Sequence, residues 1–209
     1  MLYNISRGLF RLFLKLMGRL KVIGAENVPK IGGVIIAPNH ISNIDPPAVG
    51  MGPSRPVHFM AKEELFHPAI FGAWMRGVGA FPVRRGAGDR KAIRQALDYL
   101  EKGEILCLFP EGTRSPDGKL QKAELGIGMF ALKSRAPVVP LAIIGTDKVL
   151  PNRGKGLHFH QITLAYGRPM TFPDLYELKE SRESYEEVGH RVMAAIAELQ
   201  ADNSPVNRE

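Results

Sequence analysis

Two side chains five positions apart, His40 and Asp45, lie in Asn39-His40-Ile41-Ser42-Asn43-Ile44-Asp45, just after the apolar run Val34-Ile35-Ile36-Ala37. Pro46 and Pro47 follow. Proline cannot extend a strand ladder but is accepted in the first turn of a helix. The spacing predicts a tight strand-to-helix loop in which the imidazole and the carboxylate fold back onto each other. A carboxylate bound to one ring nitrogen fixes the tautomer, and it stabilises the imidazolium formed when the other nitrogen takes a proton. Such a pair is a general base for a hydroxyl or thiol. A plainer reading also fits these residues, in which Asp45 only caps the helix by accepting backbone N–H groups.

Three more segments carry chemistry. Phe81-Pro82-Val83-Arg84-Arg85-Gly86 places two guanidinium groups after a short apolar run. Arginine forks bind phosphate bidentately, although an exposed Arg-Arg pair is commonly just solvated. Phe109-Pro110-Glu111-Gly112-Thr113-Arg114-Ser115 packs a carboxylate, a glycine, a hydroxyl and a guanidinium into four residues. Glu111 and Arg114 could pair with each other, or Arg114 could hold a phosphate, and backbone N–H groups at Gly112 and Thr113 could face an oxyanion. A β-turn with surface charges fits the heptad equally well. Ala136-Pro137-Val138-Val139-Pro140-Leu141 enters the most apolar run of the chain, where core packing is the default reading. The lone Cys107 lies in an apolar run and reads as packing. The six histidines form no metal-ligand cluster, so no metal site is expected.

These loops need elements to hold them. The pattern predicts strands over 34–38, 57–61, 80–83, 105–109 and 138–144, and an outer strand over 161–166. Helices are predicted over 66–77, 89–102, 127–134 and 184–200, the last opened by a Ser184/Glu187 capping box. Strands alternate with helices, and the central strands are continuously apolar. That argues for an α/β fold with a mixed sheet covered by helices on both faces. The functional loops are expected at the carboxyl ends of its strands. The expected organisation is a helix over 1–21, one α/β domain over 22–201 and a frayed tail over 202–209.

The first segment reads as an amphipathic helix. Arg7, Arg11, Lys15 and Arg19 recur every four residues as a basic stripe, and Leu2, Ile5, Leu9, Phe10, Leu12, Phe13, Leu14, Leu16, Met17 and Leu20 cover most of the rest. Spanning a bilayer is disfavoured. Each central cation costs roughly 2.5–3.5 kcal/mol, whereas each large apolar residue returns about 0.3–0.6. A helix lying in the interface keeps the apolar benefit and adds attraction to anionic lipid. Packing against its own domain or a partner is the alternative. The net charge of +7 and sequence pI near 9.6 also suit an anionic partner. No nucleic-acid recognition motif accompanies that charge, so nucleic acid is not expected.

The four motifs, in this order across Asn39 to Leu141, resemble the signature of the glycerophospholipid acyltransferase family. The likeness is to its bacterial 1-acylglycerol-3-phosphate O-acyltransferase type in particular. The resemblance implies that His40 is the general base and Asp45 its orienter, acting without a covalent intermediate. It implies that Arg85 binds phosphate and that Glu111, Gly112, Thr113 and Arg114 line the substrate site. Bacterial relatives often read F-P-V-D-R-G in the second block. Arg84 therefore stands where they carry an acid, as a further candidate for substrate binding. No cofactor is implied. The implied co-substrate is a coenzyme A or acyl-carrier-protein thioester, the acceptor lysophosphatidate, and the place of action the cytoplasmic face of the cell membrane, peripherally bound. Another lysolipid acceptor, or a non-catalytic phospholipid-binding protein, is the competing expectation. The basic segment Asn152-Arg153-Gly154-Lys155-Gly156 would suit an acidic carrier or the membrane.

Overall fold

A computed structural model describes residues 2–17, 19–84, 88–151, 156–178 and 181–203. Arg85, Gly86 and Arg153 to Lys155 lie outside them. In chain order the elements are α1 (Leu2–Met17), β1 (Leu20–Ile23), β2 (Val34–Pro38), α2 (Asp45–Val49), β3 (Val57–Lys62), α3 (Ala69–Gly77) and β4 (Ala80–Val83). They continue as α4 (Arg90–Glu101), β5 (Ile105–Cys107), α5 (Leu125–Ser134), β6 (Val138–Ile144), α6 (Thr146–Val149), β7 (Ile162–Tyr166), α7 (Pro173–Tyr176) and α8 (Arg182–Asn203).

The strands form one seven-stranded sheet in the order β1-β7-β6-β2-β5-β3-β4. From β6 to β4 all neighbours are parallel, while β7 runs antiparallel to β6 and β1 parallel to β7. The sheet is thus mixed. Alternation along β2 sends side chains to two cores. Ile35 and Ala37 join a cluster with Ala96, Phe130, Val192 and Ile196 of α4, α5 and α8. Val34 and Ile36 join a second cluster with Leu14 of α1 and Ala48 and Val49 of α2. Helices cover both faces, as the apolar strands require.

Local chemistry sets the boundaries. Pro46 and Pro47 open α2. Asp89 caps α4 by accepting from the N–H groups of Lys91 and Ala92, both at 3.1 Å. The α8 cap differs from the expected Ser184. Ser181 Oγ accepts from Ser184 N–H at 3.2 Å, while Ser184 Oγ accepts from Ser181 N–H at 3.0 Å. The reciprocal box therefore sits three residues earlier than Ser184/Glu187, and α8 runs through Ala201 and Asp202 to Asn203.

Two expectations change in the first and last strands. Residues 20 and 21, expected in the amino-terminal helix, instead join 22 and 23 in β1, which pairs with β7 from Leu20↔Ile162 to Ile23↔Ala165. Consequently β7 is internal, not outer, and all five of its residues are buried. The cause is non-local, because the four residues Leu20-Lys21-Val22-Ile23 are too few to show a periodicity of their own and become a strand by pairing. The basic stripe is also incomplete. Arg7 turns inward, and its Nη2 donates to the carbonyls of Pro53 at 2.6 Å and Met51 at 3.3 Å. Arg11 and Lys15 remain exposed. Phe10, Phe13 and Leu14 pack on the second core, while Leu2, Ile5, Leu9, Leu12 and Leu16 face outward.

Close approach of α5 and α8 depends on Gly128, where a Cβ would lie 2.3 Å from the Tyr185 carbonyl oxygen. Gly128→Ala is expected to destabilise the fold by about 1–3 kcal/mol through overpacking. In urea denaturation this appears as a lower midpoint at unchanged m-value; an unchanged midpoint would refute it.

Candidate active site

Because β2, β5, β3 and β4 are parallel, their carboxyl-terminal loops emerge along one edge of the sheet. β5 is the direct neighbour of β2, whereas β4 is three strands away. At a spacing of about 4.8 Å per strand, the end of β4 lies roughly 14 Å from that of β2. The loop after β5 therefore touches the His40 loop directly, and the loop after β4 approaches only from the side.

His40 is held at four points. Its Nδ1 lies 2.8 Å from Asp45 Oδ2. Its ring stacks on Phe109, with centroids 4.0 Å apart. Its backbone N–H donates to Glu111 Oε1 at 2.8 Å, and its carbonyl accepts from Ser115 N–H at 2.7 Å. The Asp45 side chain is fully buried, and its Oδ2 also accepts from the N–H groups of Ile41 and Ser42, each at 2.7 Å. Asp45 thus binds loop backbone and the imidazole through one oxygen, but it does not cap α2, since the N–H groups it accepts precede that helix. Three donors on that oxygen orient the carboxylate, and the pairing at Nδ1 leaves Nε2 as the atom that can exchange a proton. The His40 side chain is 13% exposed, enough for a reacting hydroxyl to reach it.

Asn39 anchors this loop to the sheet. Its Oδ1 accepts from Ile143 N–H at 2.7 Å and its Nδ2 donates to the Ile143 carbonyl at 3.0 Å, so the side chain imitates one more residue of the β2/β6 ladder. Ser42 Oγ donates to the Leu150 carbonyl at 2.9 Å and is buried, which removes it as a nucleophile and ties the loop to the turn after α6.

The third motif differs from its expected role. Glu111 is 3% exposed; its Oε1 takes His40 N–H and its Oε2 takes Gln121 N–H at 3.1 Å. Both oxygens are spent on backbone, so Glu111 holds the His40 loop and does not offer itself to substrate. Burial pushes its carboxyl above the ordinary value, against the pull of the two N–H donors. Gly112 takes a left-handed φ of 65° that suits glycine, and its N–H closes a turn onto the Phe109 carbonyl at 3.0 Å. Of the two backbone donors expected for an oxyanion, that of Gly112 is already engaged. Thr113 and Arg114 are exposed on the same loop.

In the second motif, the Arg84 guanidinium forms a forked pair with Glu63, Nε to Oε2 at 2.7 Å and Nη2 to Oε1 at 3.1 Å. The expected substrate-binding role of Arg84 therefore meets a cation already bound to a carboxylate. Arg85 falls outside the described residues. A cleft of about 590 Å³ runs along the open edge of β4, between Arg76, Arg84, Lys91 and Tyr99, and one of about 250 Å³ opens beside Ile41, Gly145 and Lys148. Among the described residues no three His, Cys, Asp or Glu side chains group to hold a metal.

Residues 19–144 match the family model described as Acyltransferase. The chain belongs to the acyltransferase family. It is 33% identical over 181 residues to the 1-acyl-sn-glycerol-3-phosphate acyltransferase of Bacillus subtilis, covering 85% of this chain and 86% of that one. The corresponding protein of Streptococcus pneumoniae is 28% identical over 206 residues, 95% of this chain and 73% of that one. The crystal structure of the 1-acyl-sn-glycerophosphate acyltransferase PlsC from Thermotoga maritima superposes with a TM-score of 0.77 at 30% identity, covering 96% of this chain and 80% of that one. The family resemblance read from the four motifs is borne out, and the enzyme class is an O-acyltransferase. Motif spacing points to His40, Asp45 and the 109–115 loop, but not to Phe109 as a stacking partner or to Asn39, Ser115 and Gln121 as clamps. Their contacts run between β2, β5 and β6, and only their neighbourhood to the motifs hinted at them.

The raised Glu111 carboxyl makes a sign prediction. A folded-state value above the unfolded one means that its stabilising contribution is complete below the ordinary 4.5 and is lost as pH rises through the raised value. Glu111→Gln cannot titrate. Urea unfolding of both proteins from pH 4 upward should show wild type losing more stability than the variant just above 4.5; parallel curves would exclude the effect.

Proposed function

We propose that the chain transfers a fatty acyl group from a thioester donor to the free hydroxyl of 1-acylglycerol-3-phosphate, forming phosphatidic acid for phospholipid synthesis. The observation that carries this reading is the buried His40–Asp45 pair, 2.8 Å apart, in a loop whose serine is already committed to the Leu150 carbonyl. His40 Nε2 removes the proton of the acceptor hydroxyl, and the oxygen attacks the thioester carbonyl. The C–O bond forms, the C–S bond breaks, and His40 returns its proton to the leaving thiolate. No acyl-enzyme forms. Stacking on Phe109 and the backbone bonds of His40 hold the imidazole ready for that step. Thr113 N–H is the candidate oxyanion donor on the adjacent loop.

Arg114, on the loop that clamps His40, and Arg85 on the second motif are the proposed phosphate holders. Arg84 is not among them, because Glu63 occupies it. The donor is a coenzyme A or acyl-carrier-protein thioester. Among the described residues no helix is long and apolar enough to cross a membrane. The outward Leu2, Ile5, Leu9, Leu12 and Leu16 beside Arg11 and Lys15 support a helix α1 lying in an anionic membrane surface, on the cytoplasmic side where such donors are found. The Bacillus and Streptococcus relatives bear the name of the same activity.

Thiol release measured on lysophosphatidate with both donor types tests the reading. His40→Ala should lower kcat about 10²–10⁴-fold while vesicle binding persists, and Asp45→Asn should also lower kcat by loss of the correct tautomer. Retained activity in His40→Ala would refute the base. Arg114→Ala should raise KM for lysophosphatidate about tenfold or more, with little change toward an acceptor lacking the phosphate. An enzyme indifferent to the phosphate would instead belong to another lysolipid.

A further inference from the structure

Beside α1 a second helix shows exposed apolar side chains. α3 exposes Ile70, Phe71 and Trp74, with Ile70 at 90%. Its opposite side is fixed: Gly72 is buried, and a Cβ there would lie 2.4 Å from the Phe66 carbonyl oxygen. The outward residues therefore cannot rotate inward without breaking that contact.

The two helices lie side by side. Trp74 Nε1 donates to Ser6 Oγ at 3.2 Å, and Gly77 stands against Leu2, where a Cβ would lie 2.3 Å from Leu2 Cδ2. At about 100° per residue, the outward Leu2, Ile5, Leu9, Leu12 and Leu16 fall within roughly 80° of the α1 circumference. Ser6, which meets Trp74, flanks that stripe on one side, and the exposed Arg11 and Lys15 flank it on the other. The apolar faces of α1 and α3 are thus continuous, and Arg11 and Lys15 edge them on the α1 side. Neither helix contains an aspartate or glutamate. Apolar side chains bordered by the cations of α1 match acyl chains beneath anionic headgroups, and an indole fits at headgroup depth.

We propose that α3 is a second membrane-seating element that lies with α1 in the headgroup region of an anionic bilayer. The inference rests on the seating of α1 proposed above and extends it to a helix outside the amino-terminal segment. One helix on a surface leaves the protein body free to rotate about that helix, whereas two adjacent helices define a plane. The Ile70–Phe71 end of α3 follows the carboxyl end of β3, which runs parallel to β5 and hence to β2. The plane so defined holds the edge of the sheet that bears His40 toward the lipid from which the acceptor comes.

Trp74 is the only tryptophan of the chain, so its emission reports this helix alone. The full-length protein is mixed with vesicles of phosphatidylglycerol, of phosphatidylcholine, or of phosphatidylglycerol brominated on its acyl chains. Trp74 emission should shift to the blue on phosphatidylglycerol and be quenched by the brominated lipid. Ile70→Ser with Phe71→Ser should weaken partitioning about tenfold, as should Leu9→Ser with Leu12→Ser, with circular dichroism of both matching wild type. Vesicle binding with unchanged Trp74 emission and full binding by the α3 variant overturns this inference and leaves the α1 seating intact. Absence of wild-type binding to any vesicle overturns both. A blue-shifted Trp74 in a lipid-free dimer assigns the face to a second copy and also overturns it.

Discussion

Three N–H donors converge on one buried oxygen, Asp45 Oδ2: the Nδ1 of His40 and the backbone of Ile41 and Ser42. The site depends on this convergence, because it turns a seven-residue loop into a rigid mount for an imidazole. A carboxylate removed from water is costly unless its hydrogen bonds are made. The loop has to adopt the conformation that supplies them, and that conformation also directs His40. The geometry of the proposed base is thus a by-product of satisfying Oδ2, the other carboxylate oxygen being buried without a hydrogen-bond partner.

One loop cannot hold itself, and the neighbouring strands complete the mount. Asn39 continues the β2/β6 ladder through its side chain. Glu111 and Ser115 take both backbone groups of His40, and Phe109 takes one face of the ring. These contacts come from the loop after β5 because β5 lies next to β2 in the sheet. The third motif therefore does two jobs at different positions. Its buried carboxylate braces the loop, while Thr113 and Arg114 are exposed. The loop after β4 stands farther off, which suits a group that binds the far end of an acceptor and not the reacting hydroxyl.

The distribution of charge matches a substrate that lives in a membrane. Carboxylates that neutralise cations occur inside the domain, as Glu63 does for Arg84 and as Asp174 and Glu187 do for Arg191. α1 and α3 contain no carboxylate, and the exposed Arg11 and Lys15 of α1 border exposed apolar side chains.

Much of this was legible in the chain before any coordinates. The strands at 34–38, 80–83 and 138–144, the prolines opening α2 and the His40–Asp45 pair follow from short-range spacing, apolar run length and proline chemistry. Local rules decide these features, and they were read correctly. What the sequence could not determine depends on partners distant in the chain. Residues 20–23 are a strand only because Ile162–Ala165 lies beside them. Arg7 leaves its basic stripe because the carbonyls of Met51 and Pro53 need a donor. The family resemblance implies that Glu111 lines the substrate site, but in the fold its two oxygens accept the His40 and Gln121 N–H groups, which come from elsewhere in the chain. Residue types and their spacing determined which chemistry is available, and the order of strands in the sheet decided which side chains perform it and which hold the others in place, since hydrogen-bond partners are set by distance in space and not along the chain.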